Sequence, residues 1–366
     1  MHPGHRDWRA SANMKVLISG VCGFVGSHLA RYLLESREGI QIVGLDSLAR
    51  SGSETNRVAL RSLGVQLFHG DVRMASDLEI LPEVDWVVDA AAQPTVLAGR
   101  DGKTSSRQLL EHNLLGTINL LEHCRTSQAG FILLSTSRVY SIPALRQLPL
   151  REELSAFTLN QAEPWPAGVS LAGIAETFST QAPISLYGAT KLSSEQLALE
   201  YATGFDIPVW INRCGVIAGA GQFGTAAQGI FSYWLHAHAL RKPLKYFGFG
   251  GHGLQVRDAF HPRDLARMVD FQLRSTGAGQ LFNVSGGHRN SMSLAQLTDW
   301  CNDRFGKHTP VSDGSQRTYD IPWLVLNPEK AQEAASWTPQ IGLPAILDEI
   351  AEHAEAHPDW LTLCGL

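Results

Sequence analysis

The chain has 366 residues, of which 44% are hydrophobic and 18% charged, and its formal net charge at pH 7 is −5. This length and apolar fraction provide enough material for one large α/β unit or for two domains. The negative balance argues against non-specific nucleic-acid binding, which needs a basic surface, although local cations could still hold an anionic ligand.

The cysteines and the apolar runs narrow the class of protein further. The five cysteines are odd in number, widely spaced and without a CxxC pair, so they predict neither a disulfide framework nor a zinc site. No apolar run reaches the length of a membrane span, and residues 1–13 contain charges but no hydrophobic segment. We therefore expect a cytoplasmic protein without a membrane segment, in which residues 1–13 form a disordered arm.

Strand and helix signals alternate along the first 220 residues. Buried strands are predicted, in chain order, over Lys15–Ser19, Gln41–Leu45, Val65–Phe68, Asp85–Asp89, Phe131–Leu134 and Pro208–Asn212. Apolar residues recur at helical spacing after the first strand and in two later segments, which are Val25–Leu33, Gln108–Cys124 and Tyr187–Tyr201. This alternation predicts an α/β fold of Rossmann type, in which a doubly wound parallel sheet carries helices on both faces.

The alternation changes after about Gly219, where glycines, aromatic residues and short helices follow one another. A late strand at Gln280–Val284 is expected to return to the main sheet, and Ser293 is expected to cap a helix. We predict a Rossmann domain over 14–220 with return segments near 256–285. A smaller, discontinuous C-terminal substrate-binding domain is predicted over 221–255 and 286–366.

Two further segments are judged from composition and spacing. The stretch between Tyr140 and Tyr187 contains several prolines and no clear periodicity, which predicts a functional or disordered segment. His236 and His238 are two residues apart, so on a helix they point in different directions, and we predict no metal site.

A glycine-rich loop follows the first strand and opens the first helix. Its glycines permit a tight turn, and its backbone N–H groups can approach a pyrophosphate at the positive end of the helix. Asp46 ends the next strand, 20 residues after Gly26, where a carboxylate can bind the ribose diol of an adenosine. The same carboxylate would repel a 2′-phosphate, so the loop predicts NAD as the cofactor. The loop residues are Gly20, Val21, Cys22, Gly23, Phe24, Val25 and Gly26.

Three further segments lie where strand ends would meet the cofactor. Arg50 is either a contact of the ribose or adenine or a solvated loop cation, and the sequence leaves both interpretations open. Asp71 and Val72 follow the third strand and could contact the adenine edge. Three small residues end the fourth strand and would leave room for the middle of the cofactor, although simple loop packing explains them equally well. They are Ala90, Ala91 and Ala92.

Tyr187 and Lys191 are candidates for a catalytic pair. Positions i and i+4 share a helix face, and a nearby ammonium stabilises a phenolate, which lowers the pKa of a tyrosine. The tyrosine can then accept a proton from a substrate hydroxyl as hydride leaves its carbon, and Lys191 could also hold the nicotinamide ribose. A hydroxyl at the end of the fifth strand should complete the group. The candidates there are Ser135, Thr136 and Ser137.

From Lys15 to about Ile350, these motifs resemble the extended short-chain dehydrogenase/reductases that act on nucleotide sugars. The resemblance implies that Thr136, three residues before the Val of a Val-Tyr pair, is the catalytic hydroxyl. It also implies that two arginines bind the pyrophosphate of a nucleotide-diphosphate sugar, a role that suits the forked guanidinium group. These are Arg257, in a segment similar to the family's RDFIHVDD stretch, and Arg317.

Within this family, several loops are most similar to epimerases that invert C2 of a CDP-linked hexose of the paratose or tyvelose type. The similarity at Asp46–Gly52 adds Ser47 to the expected cofactor contacts, and the similarity at Ala91–Pro94 adds Gln93 as a substrate contact. The implied reaction passes the C2 hydride to NAD while Tyr187 accepts the hydroxyl proton, and the hydride then returns to the opposite face of a 2-keto sugar. The resemblance also implies a homodimer.

Alternatives stay open beside C2 epimerisation. Sugar-nucleotide 4,6-dehydratases resemble this pattern but carry Asp-Glu after the catalytic threonine, where this chain has Ser137 and Arg138, so elimination is disfavoured. A C4 epimerase of a UDP- or GDP-sugar would use the same Tyr, Lys and Thr. A non-catalytic NAD(P)-binding redox sensor would share the fold, but such proteins tend to lose the Tyr/Lys pair that this chain keeps.

Overall fold

The computed structural model describes residues 13–100, 102, 104–226, 228–275 and 279–366. The predicted arm at 1–13 therefore lies outside the described residues, apart from residue 13. Within these ranges, no helix combines the length and the apolar character that a crossing of the lipid bilayer requires.

The strands are numbered in chain order. They are β1 Lys15–Ser19, β2 Gln41–Asp46, β3 Gln66–His69, β4 Trp86–Asp89, β5 Gly130–Thr136, β6 Leu150–Glu153, β7 Ala156–Leu159, β8 Val169–Ser170, β9 Gly173–Ile174, β10 Val209–Cys214, β11 Val216–Ile217, β12 Lys245–Phe247, β13 Val256–Phe260, β14 Gln280–Val284, β15 Ser291–Ser293, β16 Val311–Asp313 and β17 Trp323–Leu324.

The helices are numbered in the same way. They are α1 Phe24–Ser36, α2 Thr55–Ser62, α3 Ala75–Glu79, α4 Ser106–Leu110, α5 Gly116–Ser127, α6 Ile142–Arg146, α7 Ser185–Phe205, α8 Ile230–Ala239, α9 Pro262–Arg274, α10 Leu294–Phe305, α11 Glu329–Ala335, α12 Leu343–Ala356 and α13 Trp360–Leu363. A π-helical turn at Glu111–Leu115 joins α4 to α5, and 3₁₀ turns occupy Ser137–Val139, Phe249–Gly251 and His288–Asn290.

The central sheet of the described chain is parallel and seven-stranded, in the order β14-β10-β5-β4-β1-β2-β3. Side chains alternate along a strand, so Val16 and Ile18 of β1 enter one core while Leu17 enters the other. Helices α1 and α9 cover the first face, and α3, α5 and α7 cover the second. Burial on both faces explains why these strands are apolar throughout, and the predicted Rossmann-type α/β fold is confirmed.

The strand order fixes where a ligand can bind. The chain runs from β1 outwards through β2 and β3 and then crosses back to β4 on the other side of β1. In open α/β sheets, the crevice at the carboxyl ends of the strands beside such a reversal is the usual ligand site. The loop at Gly20 follows β1 at this reversal, and the loop at Ala90 follows β4 beside it.

A second layer of structure lies beyond the carboxyl ends of the central strands. Strands β11, β13, β15 and β17 form a small mixed sheet, and α8, α10 and α12 share a separate hydrophobic core. Of the return segment predicted near 256–285, β13 belongs to this small sheet, whereas α9 and β14 lead back to the central sheet. Ser293 caps α10 as predicted, because its hydroxyl accepts the Gln296 N–H at 3.0 Å.

Of the two alternatives predicted for the segment between Tyr140 and Tyr187, functional or disordered, disorder is wrong. The segment contains α6 and two β-hairpins, β6–β7 and β8–β9. Leu154 and Ser155 form the turn between β6 and β7 with φ values of 47° and 59°. Such turns usually carry Gly, Asn or Asp, so this hairpin lacks the sequence signal by which hairpins are recognised.

Candidate functional site

The structure brings all the predicted site residues to one cavity of about 800 Å³ at the carboxyl edge of the central sheet. Both the central sheet and the second layer contribute to its walls. The predicted residues that line it are Gly20, Gly23, Phe24, Val25, Gly26, Asp46, Ser47, Arg50, Asp71, Val72, Ala90, Ala91, Ala92, Gln93, Thr136, Tyr187, Lys191, Arg257 and Arg317.

The loop between β1 and α1 is packed so closely that its glycines are required. Gly20 has a φ of 65°, and a Cβ there would lie 2.9 Å from the Cα of Ala91. A Cβ on Gly26 would lie 2.3 Å from the carbonyl oxygen of Gly20. Gly23 precedes α1 without a side-chain cap, so the first turn of the helix presents backbone N–H groups. This arrangement fits a dinucleotide pyrophosphate.

Asp46 is held in a fixed orientation at the end of β2. Its Oδ2 accepts the N–H of Cys22 at 2.8 Å, and its Oδ1 accepts the N–H of Leu48 at 2.7 Å. Each carboxylate oxygen can accept a second hydrogen bond, so the group can still receive two ribose hydroxyls. The geometry therefore fits an adenosine ribose diol beside the pyrophosphate loop.

Arg50 is not the solvated loop cation that one interpretation of the sequence allowed. Its Nη2 donates to the carbonyl oxygen of Phe223, and its Nη1 donates to Oε1 of Gln228 at 3.4 Å. Burial lowers the pKa of its guanidinium. Arg50 thus joins the loop after β2 to Phe223 and Gln228, which precede α8 and also line the cavity.

Asp71 lies at the expected adenine end of the cavity with a partner of its own. Burial acts to raise the pKa of Asp71, but hydrogen bonds from Arg73 outweigh it and lower the pKa below its usual value. The Nη2 of Arg73 lies 2.6 Å from Oδ2 of Asp71. The carboxylate is therefore ionised at neutral pH and available as a hydrogen-bond acceptor.

Thr136 and Tyr187 meet where the end of β5 packs against the first turn of α7. The hydroxyl of Thr136 lies close enough to the phenol of Tyr187 to act to lower its pKa. Its Oγ1 accepts the N–H of Arg138 at 3.2 Å, which leaves the threonine proton for the phenol oxygen. Ser135 is turned away, because its hydroxyl donates to Glu195 at 2.5 Å. The geometry thus favours Thr136 over Ser135 as the hydroxyl partner of the tyrosine.

Burial is the largest influence on the pKa of Tyr187. Burial raises the pKa of Tyr187 to about 12, and the groups that oppose this rise are Thr136 and Arg138. Lys191 is itself buried, with 1% of its surface exposed, and its ammonium acts to lower the pKa of Cys214. The lowering of the pKa of Tyr187 by Lys191 stays a prediction.

A buried polar network supports the ends of β5 and β10 behind the cavity. Arg213 and Glu195 form an ion pair at 2.6 Å with side chains that are 6% and 0% exposed. The hydroxyl of Tyr140 donates to Asn283 of β14 at 2.6 Å, and Arg213 lies over the Tyr140 ring. Such a network is costly to break, because loss of one member leaves a buried charge without compensation.

The two arginines expected to bind phosphate line the same cavity as Asp71. The guanidinium of Arg257 donates to the carbonyl oxygens of Val256 at 2.7 Å and Ile321 at 2.8 Å. Burial and the charge of Arg138 lower its pKa to about 10, so it stays protonated at neutral pH. Arg317 stacks on the ring of Phe247 at 3.9 Å. Among the described residues, no carboxylate forms an ion pair with Arg257, which leaves its charge for an anionic ligand.

Sequence reasoning missed a residue that positions a predicted one. Asn113 lies in the π-helical turn, where its Oδ1 accepts the N–H of Gln93 at 2.8 Å and its Nδ2 donates to the carbonyl oxygen of Gln93 at 3.0 Å. A π-helical turn inside a helix is often a sign of a functional site, but a single hydrophobic stripe over Gln108–Cys124 gives no indication of it. His236 and His238, predicted to point apart, bind different partners, His353 and Asn302.

These features define a dinucleotide-binding enzyme of the Rossmann class with a buried Thr–Tyr pair. Residues 16–285 match the NAD dependent epimerase/dehydratase family. The chain is 32% identical over 348 residues to CDP-paratose 2-epimerase of Salmonella typhi, covering 90% of this chain and 95% of that protein. It is 27% identical to a UDP-glucose 4-epimerase of Corynebacterium glutamicum, covering 89% of this chain and 91% of that protein.

The fold is also similar to that of solved structures. UDP-glucuronic acid 4-epimerase from Bacillus cereus, in complex with UDP-glucuronic acid and NAD, superposes with a TM-score of 0.75 at 24% identity, over 94% of this chain and 99% of that one. The chain belongs to the NAD-dependent epimerase/dehydratase family of extended short-chain dehydrogenase/reductases. The predictions of an isomerase and of NAD as its cofactor are confirmed.

Proposed function

We propose that this protein inverts C2 of a CDP-linked hexose of the paratose or tyvelose type. The observation that carries the proposal is one cavity that combines the cofactor loop, the Thr136–Tyr187 pair and two arginines. The choice of C2 and of CDP is supported by the similarity to CDP-paratose 2-epimerase over 90% of this chain.

In the first half of the proposed reaction, the sugar is oxidised at C2. NAD, which the glycine loop and Asp46 would hold, would supply the acceptor for the C2 hydride and its donor in the return step. Tyr187, as the phenolate, accepts the proton of the C2 hydroxyl, and the electrons of the O–H bond form the new C=O bond. The neighbouring hydroxyl of Thr136 can donate to the phenol oxygen and so favours the phenolate.

In the second half, the 2-keto sugar turns over and is reduced on its other face. Tyr187 then donates its proton to the keto oxygen as the hydride returns to C2, so the protein ends in its starting state and no external reductant is consumed. Asp46 and the glycine loop hold the dinucleotide, while Arg257 and Arg317 hold the diphosphate of the substrate. A fixed diphosphate keeps the intermediate in the site while the sugar rotates.

Isotope labelling tests the proposal directly. The protein is incubated with CDP-, UDP- and GDP-hexoses that carry deuterium at C2, and each product is analysed by NMR and mass spectrometry. We expect a C2-inverted CDP-hexose that keeps its deuterium, because the hydride returns to the carbon that it left. A product inverted only at C4 would contradict the proposal and would favour the second candidate.

The second candidate is a C4 epimerase of a UDP- or GDP-sugar. It is favoured by the 27% identity to a UDP-glucose 4-epimerase over 89% of this chain. The same Thr136, Tyr187 and Lys191 would serve this reaction, because oxidation at C4 also needs a base beside a hydroxyl.

The role of Arg257 can be tested by removing its charge. We expect Arg257→Gln to raise the KM for the nucleotide sugar by about tenfold or more, because a charge-assisted hydrogen bond to phosphate contributes about 1.5–3 kcal/mol. NAD affinity should not change. Arg263→Gln is the control, since this exposed arginine lies 3.4 Å from Glu35 on the surface. An unchanged KM in the Arg257 variant would remove this residue from the phosphate site.

The homodimer and the cytoplasmic location are part of the proposal. Exposed apolar side chains on α4, α7 and the π-helical turn support a contact between two copies through these helices. They include Leu110, Leu115, Leu186 and Phe205, which are 41%, 40%, 39% and 43% exposed. Buried interfaces between copies of one chain are usually built from such apolar surfaces.

A further inference from the structure

We propose that Arg138 is a positioning residue for the base, whose guanidinium stabilises the ionised form of Tyr187 and sets the pH range in which Tyr187 accepts a proton. This inference rests on the proposed function, because it assumes that Tyr187 is the base. It assigns a role to a cation that occupies the position where dehydratases of this family carry glutamate.

The backbone places Arg138 against the first turn of α7. Arg138 lies in the 3₁₀ turn Ser137–Val139, and its N–H donates to Oγ1 of Thr136 at 3.2 Å. A Cβ on Gly188 would lie 2.3 Å from the carbonyl oxygen of Arg138. The glycine that follows Tyr187 therefore allows the turn carrying Arg138 to contact the helix directly beside the base.

The side chain of Arg138 points into the same cavity as the phenol of Tyr187. Its Nη1 donates to the carbonyl oxygen of Tyr319 at 3.4 Å, and Tyr319 also lines the cavity. This contact holds the side chain of Arg138 in place. Within the described part of the chain, it makes no ion pair with a carboxylate. Burial lowers the pKa of Arg138, whereas the negative charges of Asp320 and of ionised Tyr187 act to raise it. Its charge thus interacts with both Tyr187 and Asp320.

Few ionisable groups face Tyr187 from the elements packed around it. Cys214 at the end of β10 acts to raise the pKa of Tyr187, and Arg138 acts to lower it. Burial raises the pKa of Cys214 itself to about 12, so this thiol is neutral at working pH. Lys191, one turn further along α7, acts on Cys214. Arg138 is therefore a cation that acts on the phenol, and its turn packs against the glycine that follows Tyr187.

Removal of the Arg138 charge should raise the pKa of Tyr187. A phenolate is the charged form of tyrosine, so removing a neighbouring positive charge makes ionisation harder and raises the pKa. An opposite charge at contact range typically shifts a pKa by about one pH unit or more. At a fixed pH below that pKa, the phenolate fraction would then fall about tenfold.

The pH dependence of kcat tests this inference. Arg138→Gln removes the charge, and Arg138→Lys keeps it. We expect the acidic limb of the kcat profile to move up by about one pH unit in Arg138→Gln and to stay near its wild-type position in Arg138→Lys. A purely structural role would lower kcat by the same factor at every pH, and a Gln profile parallel to the wild-type profile would overturn the inference.

A second measurement needs no substrate. Tyrosine labelled with a heavy carbon isotope at the ring carbon that bears oxygen reports its own ionisation by NMR, and Tyr187→Phe identifies the signal. In the NAD-loaded protein, the Tyr187 signal should titrate at higher pH in Arg138→Gln than in wild type. Coincident titrations would overturn the inference, whatever sugar the protein accepts.

The two measurements separate the possible failures. If no nucleotide sugar is turned over but the Tyr187 titration moves, the proposed function fails and the electrostatic role of Arg138 holds. Arg151→Gln is the control, because this exposed arginine on the β6–β7 hairpin pairs with Glu153 at 2.8 Å. If Arg138→Gln does not fold, Arg138→Met is compared with Arg138→Lys in the same way.

Discussion

Replacing Tyr187 with phenylalanine should lower kcat by about a thousandfold while NAD affinity stays nearly unchanged. The substitution removes the phenol oxygen that accepts and returns the substrate proton, and general base catalysis typically contributes about 10²–10⁴-fold to a rate. The ring itself packs against Leu109 and Ala98 and is 9% exposed, so phenylalanine fills the same space. Steady-state kinetics give kcat, and quenching of tryptophan fluorescence gives NAD affinity.

Tyr201→Phe is the matched control for this prediction. Tyr201 lies on the same helix, α7, and its hydroxyl makes a hydrogen bond with Glu122 away from the cavity. Both variants lose one hydroxyl from one helix, so a general effect on folding would appear in both. Full activity in Tyr187→Phe would show that another group takes the proton.

The cofactor half of the site could be predicted well because its chemistry is local in sequence. Gly20, Gly26 and Asp46 lie within two successive βα units, where a strand end, a turn and a helix start fix the geometry of the backbone. The carboxyl ends of parallel strands meet at one edge of the sheet, so the order of elements alone predicts that these residues come together.

The rest of the site depends on contacts that sequence spacing does not specify. Spacing placed Lys191 one turn after Tyr187, but burial dominates the pKa of the tyrosine and the ammonium acts on Cys214. In the sequence, Arg138 shows only that the glutamate of the dehydratases is absent. Its relation to Tyr187 depends on the packing of a 3₁₀ turn against Gly188, which is a contact in space.

The second layer of structure, beyond the carboxyl ends of the central strands, was the part of the fold least predictable from the sequence. Its β13 pairs with β15, which is antiparallel to it, and with β17, and these partners lie 33 or more residues away in the sequence. Short strands of this kind carry little periodicity, and their pairing is decided by packing between distant segments. The arginines of this layer could therefore be identified by resemblance, whereas their burial and stacking needed the structure.

Substituting Gly26 with alanine should weaken NAD binding by about ten- to a hundredfold. The added Cβ would lie 2.3 Å from the carbonyl oxygen of Gly20 and 2.7 Å from the Cα of Val21. Both are backbone atoms, so the loop and α1 must move apart, and overpacking of this kind costs about 1–3 kcal/mol. The displaced N–H groups are those proposed to bind the pyrophosphate. Their displacement should therefore lower the affinity for NAD.

Gly204→Ala is the matched control, because it makes the same chemical change at an open position. Gly204 lies near the end of α7, and a Cβ there has no neighbouring atom within 4 Å. Alanine is the better helix former, so this variant should keep its NAD affinity and gain up to about 1 kcal/mol in stability. Calorimetric titration with NAD and thermal unfolding of both variants distinguish the outcomes. Equal NAD affinity in the two variants would mean that the loop relaxes, and that close packing at Gly26 does not determine how the cofactor is held.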